Sequence, residues 1–564
     1  MKLKLLAAVL IVWLTSCGGG ESSSPGSTGA GDDSDTGSAE SSSVMFSNVT
    51  KASGIDFLAG FQSSKGITDV MKYCGGVAAG DVDGDGLTDL FFIKGDIDRP
   101  SLYQNLGNNQ YRDITQSVNI EISDHKGCGP MFADVNGDGW LDLFIGGIGG
   151  DPSYLLIQQR DEVGDIRFVD KTEQFGLAEL QLSNTVSASF GDYDGDGWLD
   201  MFLGHWGTDK SKRKQHLWRN IHGERFVNVT QEAGLAAYMV PPPSKDAVLG
   251  DGVDYSFSGA FSDVNNDNCP DLLVVGDFAT SQVFINRCDG VFEKYATSVI
   301  DVANGMGAAT GDLDNDGDLD WFVSGIALPS GQGNRLYRNN YVGGAATEQL
   351  FSNVTDESKV FDGGWGWAVC LADFDANGYL DVFHVNGWQA GLFGSSYAND
   401  RSRLFMAKPT TTSGDIGYDE SARALGITDR TQGRGAVCFD ADNDGDVDLA
   451  IANGLHDEGL DPVRLYRNNS NKGATHYTIR LQGVAPNHYG IGSKIWVESV
   501  NTTQMREVTA NSNFVSNNPA EQYVALPQGD ELLSISVHWR DGERSQVRVP
   551  EQGRVVTVMH PGTR

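Results

Sequence analysis

The sequence predicts an all-β protein, in which a seven-bladed β-propeller is followed by a small β-rich domain. Three observations lead to this prediction. An acidic pattern recurs seven times, about 60 residues apart, between residues 81 and 448. Each copy is accompanied by short apolar and β-branched runs separated by Gly and Asn, which indicates about four short strands per repeat. Glycine supplies 71 of the 564 residues without a collagen period, as expected for a turn-rich globular chain.

The N-terminal segment has the composition of an export signal. Lys2 and Lys4 precede an apolar run that is too short to span a bilayer as a helix, and small residues lead into Cys17. Residues 1–16 resemble a bacterial lipoprotein signal peptide, which implies that Cys17 is the acylated first residue; a plain secretory signal is the alternative. Residues 17–43, rich in Gly, Ser and Asp, are expected to be a flexible tether. We therefore expect an exported protein, lipid-anchored to a bacterial membrane at the outer membrane, the cell surface or the periplasm.

Residues 44–473 carry the seven repeats, and each repeat has the same internal order. A strand of small residues enters the acidic loop, an apolar strand leaves it, a third strand carries Leu-Tyr-x-Asn or a related sequence, and a fourth begins with an aromatic residue. The seventh repeat lacks its fourth strand, whereas an extra copy, Phe46 to Thr50, precedes the first repeat. The sequence therefore predicts that this N-terminal strand completes the last blade and closes the ring.

The acidic loops have the spacing of a calcium-binding loop. Oxygen ligands at positions 1, 3, 5 and 9 and the carbonyl at position 7 suit a Ca²⁺-sized ion, and position 6 is Gly in six of the seven loops. A solvated acidic turn without metal is the alternative. The sequence predicts up to seven structural Ca²⁺ sites, and their ligands are Asp81, Asp83, Asp85, Leu87, Asp89; Asp134, Asn136, Asp138, Trp140, Asp142; Asp192, Asp194, Asp196, Trp198, Asp200; Asp263, Asn265, Asp267, Cys269, Asp271; Asp312, Asp314, Asp316, Asp318, Asp320; Asp373, Asp375, Asn377, Tyr379, Asp381; and Asp440, Asp442, Asp444, Asp446, Asp448.

These repeats resemble the FG-GAP/VCBS family, the integrin-like repeats, whose members form calcium-binding β-propellers. Residues 474–564 show two-residue alternation and β-branched runs, which predict a small β domain. The sequences around Gly490, Arg506 and Trp539 resemble the ASPIC/UnbV domain that follows such repeats in bacterial relatives of cartilage acidic protein. The order of the two parts is specific to that group.

Charge and the absence of catalytic sequence patterns limit the possible functions. The formal charge is −35, so nucleic acids and anionic membrane surfaces are poor partners, and any membrane contact is expected through the lipid anchor alone. We expect a surface-anchored binding or adhesion module for a protein or glycan ligand, with no catalytic residues. The alternative is a polysaccharide lyase or hydrolase acting at the propeller end opposite the acidic loops. Candidate ligand-binding residues at that end, which could equally be ordinary loop residues, are His125, His205, Trp206, Trp365, His384, Trp388 and His456.

The cysteines other than Cys17 are even in number, which suggests disulfides in an exported protein. A turn centred on Phe278 and Ala279 is expected to place Cys269 opposite Cys288 on adjacent strands, within bonding distance. Cys74 and Cys128 enter adjacent blades at equivalent places and are the next candidate pair. The sequence leaves Cys370 and Cys438 open between a disulfide and buried thiols.

Overall fold

A computed structural model describes most of the chain. The described residues are 44–62, 66, 68–182, 184–208, 215–239, 253–328, 331–341, 349–388, 397–409, 416–454, 461–470, 473–548 and 554–563. The signal peptide, Cys17 and the tether predicted for residues 17–43 lie outside them. Among the described residues, no helix has the length and apolar character needed to cross a membrane.

Strands dominate the described chain, and helices are confined to short turns. Two strands precede the first complete sheet, β1 (Phe46–Asn48) and β2 (Leu58–Ala59). The repeats follow as β3 (Val77–Gly80), β4 (Asp89–Phe92), β5 (Ser101–Asn105), β6 (Tyr111–Asp113); β7 (Gly127–Ala133), β8 (Asp142–Gly147), β9 (Tyr154–Arg160), β10 (Ile166–Asp170); β11 (Ser187–Gly191), β12 (Asp200–Gly204), β13 (Leu217–Ile221), β14 (Arg225–Asn228); β15 (Ser256–Ser262), β16 (Asp271–Gly276), β17 (Gln282–Asn286), β18 (Phe292–Lys294); β19 (Ala308–Gly311), β20 (Asp320–Val323), β21 (Arg335–Asn339), β22 (Phe351–Asn353); β23 (Gly366–Ala372), β24 (Asp381–Asn386), β25 (Arg403–Pro409), β26 (Ile416–Glu420); and β27 (Gly433–Phe439), β28 (Asp448–Asn453), β29 (Asp461–Pro462), β30 (Arg464–Asn468).

The C-terminal part adds seven more strands. They are β31 (Thr475–Gln482), β32 (Lys494–Ser499), β33 (Thr503–Glu507), β34 (Gln522–Leu526), β35 (Leu532–His538), β36 (Arg544–Arg548) and β37 (Val555–Met559). Within the described ranges, the α-helix is the four-residue Thr355–Ser358, and 3₁₀ turns occur at Val70–Tyr73, Gly95–Ile97, Leu177–Leu182, Leu235–Ala237 and Pro561–Thr563. The predicted all-β class is therefore confirmed.

The repeats form seven four-stranded antiparallel sheets, in agreement with the predicted seven blades. The first strands of neighbouring sheets contact one another in the order β3, β7, β11, β15, β19, β23 and β27, and β27 contacts β3 again. The last sheet has the order β1-β30-β28-β27, with Phe46 opposite Asn468. The N-terminal strand thus completes the last blade, as predicted, and the ring is closed.

Small residues on the first strands allow the blades to approach the axis closely. A Cβ at Gly129 of β7 would lie 2.4 Å from the carbonyl oxygen of Val186, and one at Gly191 of β11 would lie 2.8 Å from the Phe261 ring. Apolar second strands fill the space between blades, where Phe91, Phe202 and Phe322 are fully buried. The small residues of each first strand and the apolar residues of each second strand therefore follow from their positions near the axis and between the blades.

The Asn of the Leu-Tyr-x-Asn sequence joins its blade to the preceding one in five of the seven blades. The Asn220 side-chain amide donates to Leu199 O in its own blade (3.1 Å) and to Val135 O of the preceding acidic loop (2.8 Å). The amide of Asn105 likewise donates to Ala441 O (2.9 Å), which links the first blade to the last. Equivalent inter-blade bonds are made by Asn286, Asn339 and Asn468, and Gln158 replaces the Asn in the second blade.

The C-terminal domain consists of two sheets and inserts one segment into the centre of the ring. Its sheets have the orders β33-β32-β35-β36 and β34-β31-β37. Between them, residues 510–518, which we call the axial segment, run along the channel and contact the first strand of all seven blades, through hydrogen bonds with Val77, Phe132, Ser189, Phe261, Ala308, Val369 and Ala436. Phe514 is fully buried there against Phe257 and Trp367.

Three disulfides join the cysteines of the propeller. They connect Cys74 with Cys128, Cys269 with Cys288, and Cys370 with Cys438, whose pairing the sequence had left open. The register argument for the second pair is wrong by one residue, because Leu273 lies opposite Val283 rather than Phe284. The bond forms beyond the ends of the paired strands, where Cys288 adopts a positive φ of 56° and the Cα atoms are 5.6 Å apart.

Candidate metal centre

Each acidic loop connects the first and second strands of a blade at the same register. In the first blade, Gly80 pairs with Asp89, so the eight residues between them form the loop. The position-1 carboxylate of Asp81 accepts backbone N–H groups from Asp85 (3.2 Å) and Gly86 (2.8 Å). Gly86 has φ of 87°, a conformation that favours glycine, so the position-6 preference follows from the fold of the loop.

The position-9 aspartate has a second function that the sequence did not reveal. One oxygen of Asp89 accepts the N–H of Val82 (3.0 Å) and the other accepts the N–H of Asn105 on the third strand (2.7 Å). The same two bonds recur in all seven loops, at Asp142, Asp200, Asp271, Asp320, Asp381 and Asp448. This residue therefore fastens the loop to the blade, and each oxygen retains a lone pair for a metal ion.

Carboxylate oxygens converge within several loops. The ligand atoms of Asp312, Asp314 and Asp316 lie within 4.8 Å of one another, and comparable groups occur at Asp81 and at Asp192 with their neighbours. In the fifth loop both oxygens of Asp312 are buried and accept no hydrogen bond, and Asp314 and Asp318 each have one such oxygen. Buried, unpartnered carboxylate oxygens are costly unless a cation lies among them. The residues present therefore fit a hard divalent cation such as Ca²⁺.

The pKa values of these carboxylates reflect the same crowding. Burial, followed by repulsion from neighbouring carboxylates, raises the pKa of Asp312 and of Asp314 to about 7 and that of Asp318 to about 8. Burial also raises the pKa of Asp373 and of Asp440 to about 7. A bound cation favours the ionised form and would oppose these shifts.

The C-terminal domain covers the end of the propeller that carries the acidic loops. Arg480 donates to Gly86 O of the first loop (2.8 Å), Tyr489 to Gly139 O of the second (3.2 Å), and Arg540 to Asp192 O of the third (3.2 Å). In the seventh loop, Arg554 donates to Asp444 O and His476 lies 3.3 Å from Asp446. The Arg and Tyr contacts reach backbone carbonyls, whereas His476 and, at the fourth loop, Lys494 lie against carboxylates, with Lys494 2.9 Å from Asp263 Oδ2.

The opposite end of the propeller does not present the predicted ligand-binding side chains to solvent. His205 and His384 are fully buried, and burial lowers their pKa to about 4 and about 3, respectively. His205 Nε2 lies 3.1 Å from Gln215 O, and His384 Nδ1 lies 2.6 Å from Asn386 Oδ1. Neither side chain is presented to a ligand in this structure, because both rings are fully buried and hydrogen-bonded within the propeller.

The remaining candidates at this end are also largely internal. His125 is buried and bonded to Pro152 O (2.7 Å), and Trp365 and Trp388 stack 4.9 Å apart with 4% and 6% of their surfaces exposed. Trp206 alone among these is half-buried, in contact with Phe257. His456 lies outside the described residues. The tryptophans that were predicted to lie on the surface instead pack in or against the hydrophobic core at this end of the propeller.

Two buried charged groups at this end had no signal in the sequence. The guanidinium of Arg434, 1% exposed, lies over the rings of Trp367 and Trp388 and donates to Gly387 O (3.0 Å). His216 Nε2 lies 2.8 Å from Asp254, and both side chains are buried. Burial alone would lower the pKa of His216, but the Asp254 carboxylate raises it overall; His216 in turn lowers the pKa of Asp254 against the effect of burial.

Family models match both parts of the chain. A model described as an FG-GAP-like repeat matches residues 81–145, 134–203 and 263–323, and one described as ASPIC and UnbV matches residues 483–564. Cartilage acidic protein 1 of Mus musculus is 24% identical over 521 residues, which cover 86% of this chain and 74% of the mouse protein. Cartilage acidic protein 1 of Homo sapiens is 24% identical over 519 residues, with 86% and 72% coverage.

Solved structures show only distant likeness. YCF48 from Cyanidioschyzon merolae is 11% identical, with a TM-score of 0.35, 72% of this chain and 98% of that chain covered. The V. cholerae biofilm matrix protein Bap1 is 12% identical, with a TM-score of 0.28, 84% of this chain and 72% of that chain covered. From the sequence matches, the protein contains FG-GAP-like repeats followed by a C-terminal ASPIC and UnbV domain. It is homologous to cartilage acidic protein 1, which confirms the resemblance seen in its sequence.

Proposed function

We propose that this protein is a calcium-stabilised interaction module, in which Ca²⁺ ions hold the acidic loops of the propeller. The observation that carries the proposal is the fifth loop, where both oxygens of the buried Asp312 carboxylate accept no hydrogen bond and a ligand atom of Asp312 lies within 4.8 Å of those of Asp314 and Asp316. A cation supplies the missing partner. Side-chain oxygens at positions 1, 3, 5 and 9 and the position-7 carbonyl would hold the ion, and the ion would neutralise the loop.

A ligand would bind at the end of the propeller away from the acidic loops. The C-terminal domain covers the acidic end, and the axial segment fills the channel from that side. Loops that rise from the second strands toward the other end differ in length between blades, and long loops on a rigid scaffold are where binding residues concentrate. Protein and glycan ligands both suit such a surface, in a protein tethered by residues 17–43 to a lipidated Cys17.

Native mass spectrometry of the purified protein in calcium-containing buffer tests the metal part of the proposal. Several ions per chain that disappear on chelation are expected; fewer than about four would contradict it. A glycan array and a protein-interaction screen test the second part, with a hydrolysis and lyase assay run on every glycan that binds. Retention of a ligand without turnover supports the interaction module, whereas turnover would favour a polysaccharide-acting enzyme.

A further inference from the structure

The second and fourth acidic loops carry the same ligand types and can be compared directly. Both have Asp at positions 1, 5 and 9 and Asn at position 3. In the second loop, Asp134 accepts the N–H of Asp138 (3.1 Å); in the fourth, Asp263 accepts the N–H of Asp267 (3.0 Å). The position-3 amide donates to the position-5 carboxylate in each, at 2.9 and 3.0 Å. The two loops therefore begin with matched geometry and equal carboxylate charge.

They differ in what contacts the position-1 carboxylate from the C-terminal domain. At the fourth loop the ammonium of Lys494, 6% exposed, lies 2.9 Å from Asp263 Oδ2 and 2.8 Å from Asp263 O, and it also donates to Asn266 Oδ1. At the second loop the C-terminal domain contributes His488 and Tyr489, which bond to backbone carbonyls. Among the residues that the structure describes, only the fourth loop thus receives a buried cation directly on its position-1 ligand.

Three further features hold the fourth loop in place without metal. The position-7 residue, Cys269, is covalently bonded to Cys288 on the far side of the third strand. The position-6 residue, Asn268, replaces the usual Gly, and its side chain donates to Arg540 O (2.7 Å). Glu507, which lies opposite Lys494 on the adjacent strand, accepts the N–H of Asp263 (3.0 Å). Each of these contacts fixes a part of the loop that an ion fixes elsewhere.

We infer that the fourth acidic loop does not bind calcium and that Lys494 of the C-terminal domain serves as its cation. The inference rests on the proposed calcium function of the other loops, and it changes the expected number of ions from seven to six. An ammonium hydrogen-bonded to Asp263 neutralises part of the site and repels a divalent ion placed a few ångströms away. At the fourth loop, a side chain of the C-terminal domain therefore takes the place that an ion would take in the other loops.

Asp138→Asn and Asp267→Asn form a matched pair that tests this inference. Both aspartates occupy position 5, both are exposed, and both accept the N–H of the position-7 residue at 2.9 Å, a bond that the amide oxygen of Asn preserves. Calcium ions are counted by native mass spectrometry on the full chain. Melting temperatures with calcium and with chelator show that each variant is folded and report how much calcium stabilises it.

The inference predicts six ions for the wild type, five for Asp138→Asn and six for Asp267→Asn. Asp138→Asn removes the ion of the second loop because only two carboxylate ligands, Asp134 and Asp142, remain there, whereas the sixth loop keeps three beside Asn377. Calcium should stabilise Asp267→Asn as much as the wild type and Asp138→Asn less. Loss of one ion in both variants, or seven ions in the wild type, would overturn the inference while leaving the calcium proposal intact. If the wild type binds none and chelation leaves its melting temperature unchanged, the calcium proposal itself fails.

Discussion

The two ends of the propeller neutralise their buried charge in different ways. At the acidic end the carboxylates of positions 1 and 9 recur in every blade, and in the fifth loop Asp312 retains buried oxygens without hydrogen bonds. At the opposite end, buried charged groups of the described residues have partners within the fold that do not recur from blade to blade, as with His216 and Asp254 at 2.8 Å or Arg434 over Trp367. Under the proposed calcium binding, the acidic end uses ions from solution in all loops but the fourth, whereas the buried charges named at the opposite end are neutralised within the chain.

Removal of calcium by a chelator should give the largest effect, because it is expected to destabilise the acidic end and not the opposite end. A site at about 100 times its Kd contributes roughly 2.7 kcal/mol, so removal of several ions should lower the melting temperature by roughly 10–20 °C. Differential scanning calorimetry in calcium and in EDTA measures the change, and magnesium at equal concentration is the control. A melting temperature that is the same in both buffers would contradict the dependence of the acidic end on ions.

Asp254→Asn perturbs the opposite end alone. It leaves His216 buried without its carboxylate partner, and breaking a buried ion pair by removing one member costs roughly 3–5 kcal/mol. The calcium count should remain that of the wild type, because Asp254 lies on no acidic loop. Denaturant unfolding combined with native mass spectrometry checks both results. A lost ion in this variant would mean that the two ends are energetically coupled.

Phe514→Ala tests how much the axial segment, which runs along the channel, contributes to the stability of the ring. Phe514 is fully buried in the channel against Phe257 and Trp367, and its truncation should cost about 3 kcal/mol. Leu533→Ala in the same domain is the control, since Leu533 is 54% exposed. Denaturant midpoints compare the two variants. Equal midpoints would show that the axial segment contributes little to the stability of the ring.

A smaller effect is expected from pH in the absence of calcium. The pKa values of Asp312, Asp373 and Asp440 are raised to about 7, above the value of about 4 for an unfolded chain. The folded chain therefore binds more protons than the unfolded chain between these values, and stability falls as pH rises through about 7. Melts in EDTA should decline from pH 5.5 to 7.5, and saturating calcium should flatten this decline. If the melting temperature of the calcium-free protein rises over that pH range, the raised pKa values of these aspartates would be contradicted.

The difference between the ends also explains which features the sequence predicted. Each acidic loop is specified by nine consecutive residues, so its spacing is visible without any knowledge of the fold. The opposite end is specified by contacts between distant segments; Arg434, for example, bonds to Lys72 O, 362 residues away. His205 and His384 occupied the expected end of their strands, but no local pattern distinguishes a histidine that packs between strands from one that faces solvent.

The axial segment was unpredictable for the same reason. This segment, residues 510–518, is rich in Asn and Ser, which is typical of an exposed loop. Its hydrogen-bond partners lie on the first strands of separate blades, as with Val77, 439 residues from Ser516. Likewise, the sequence showed the recurring Asn of the third strand but not its bond to the preceding blade, since that partner belongs to another repeat.

Closure of the ring by β1 sets an order of events during synthesis. The hydroxyl of Thr50, just after β1, accepts the N–H of Leu465, 415 residues later, and the axial segment is made later still. At translation rates of about 5–20 residues per second, Phe46 waits roughly 20–80 seconds for its partner strand. An unpaired strand invites association with other chains during that time. With only three residues, β1 offers such chains little to pair with.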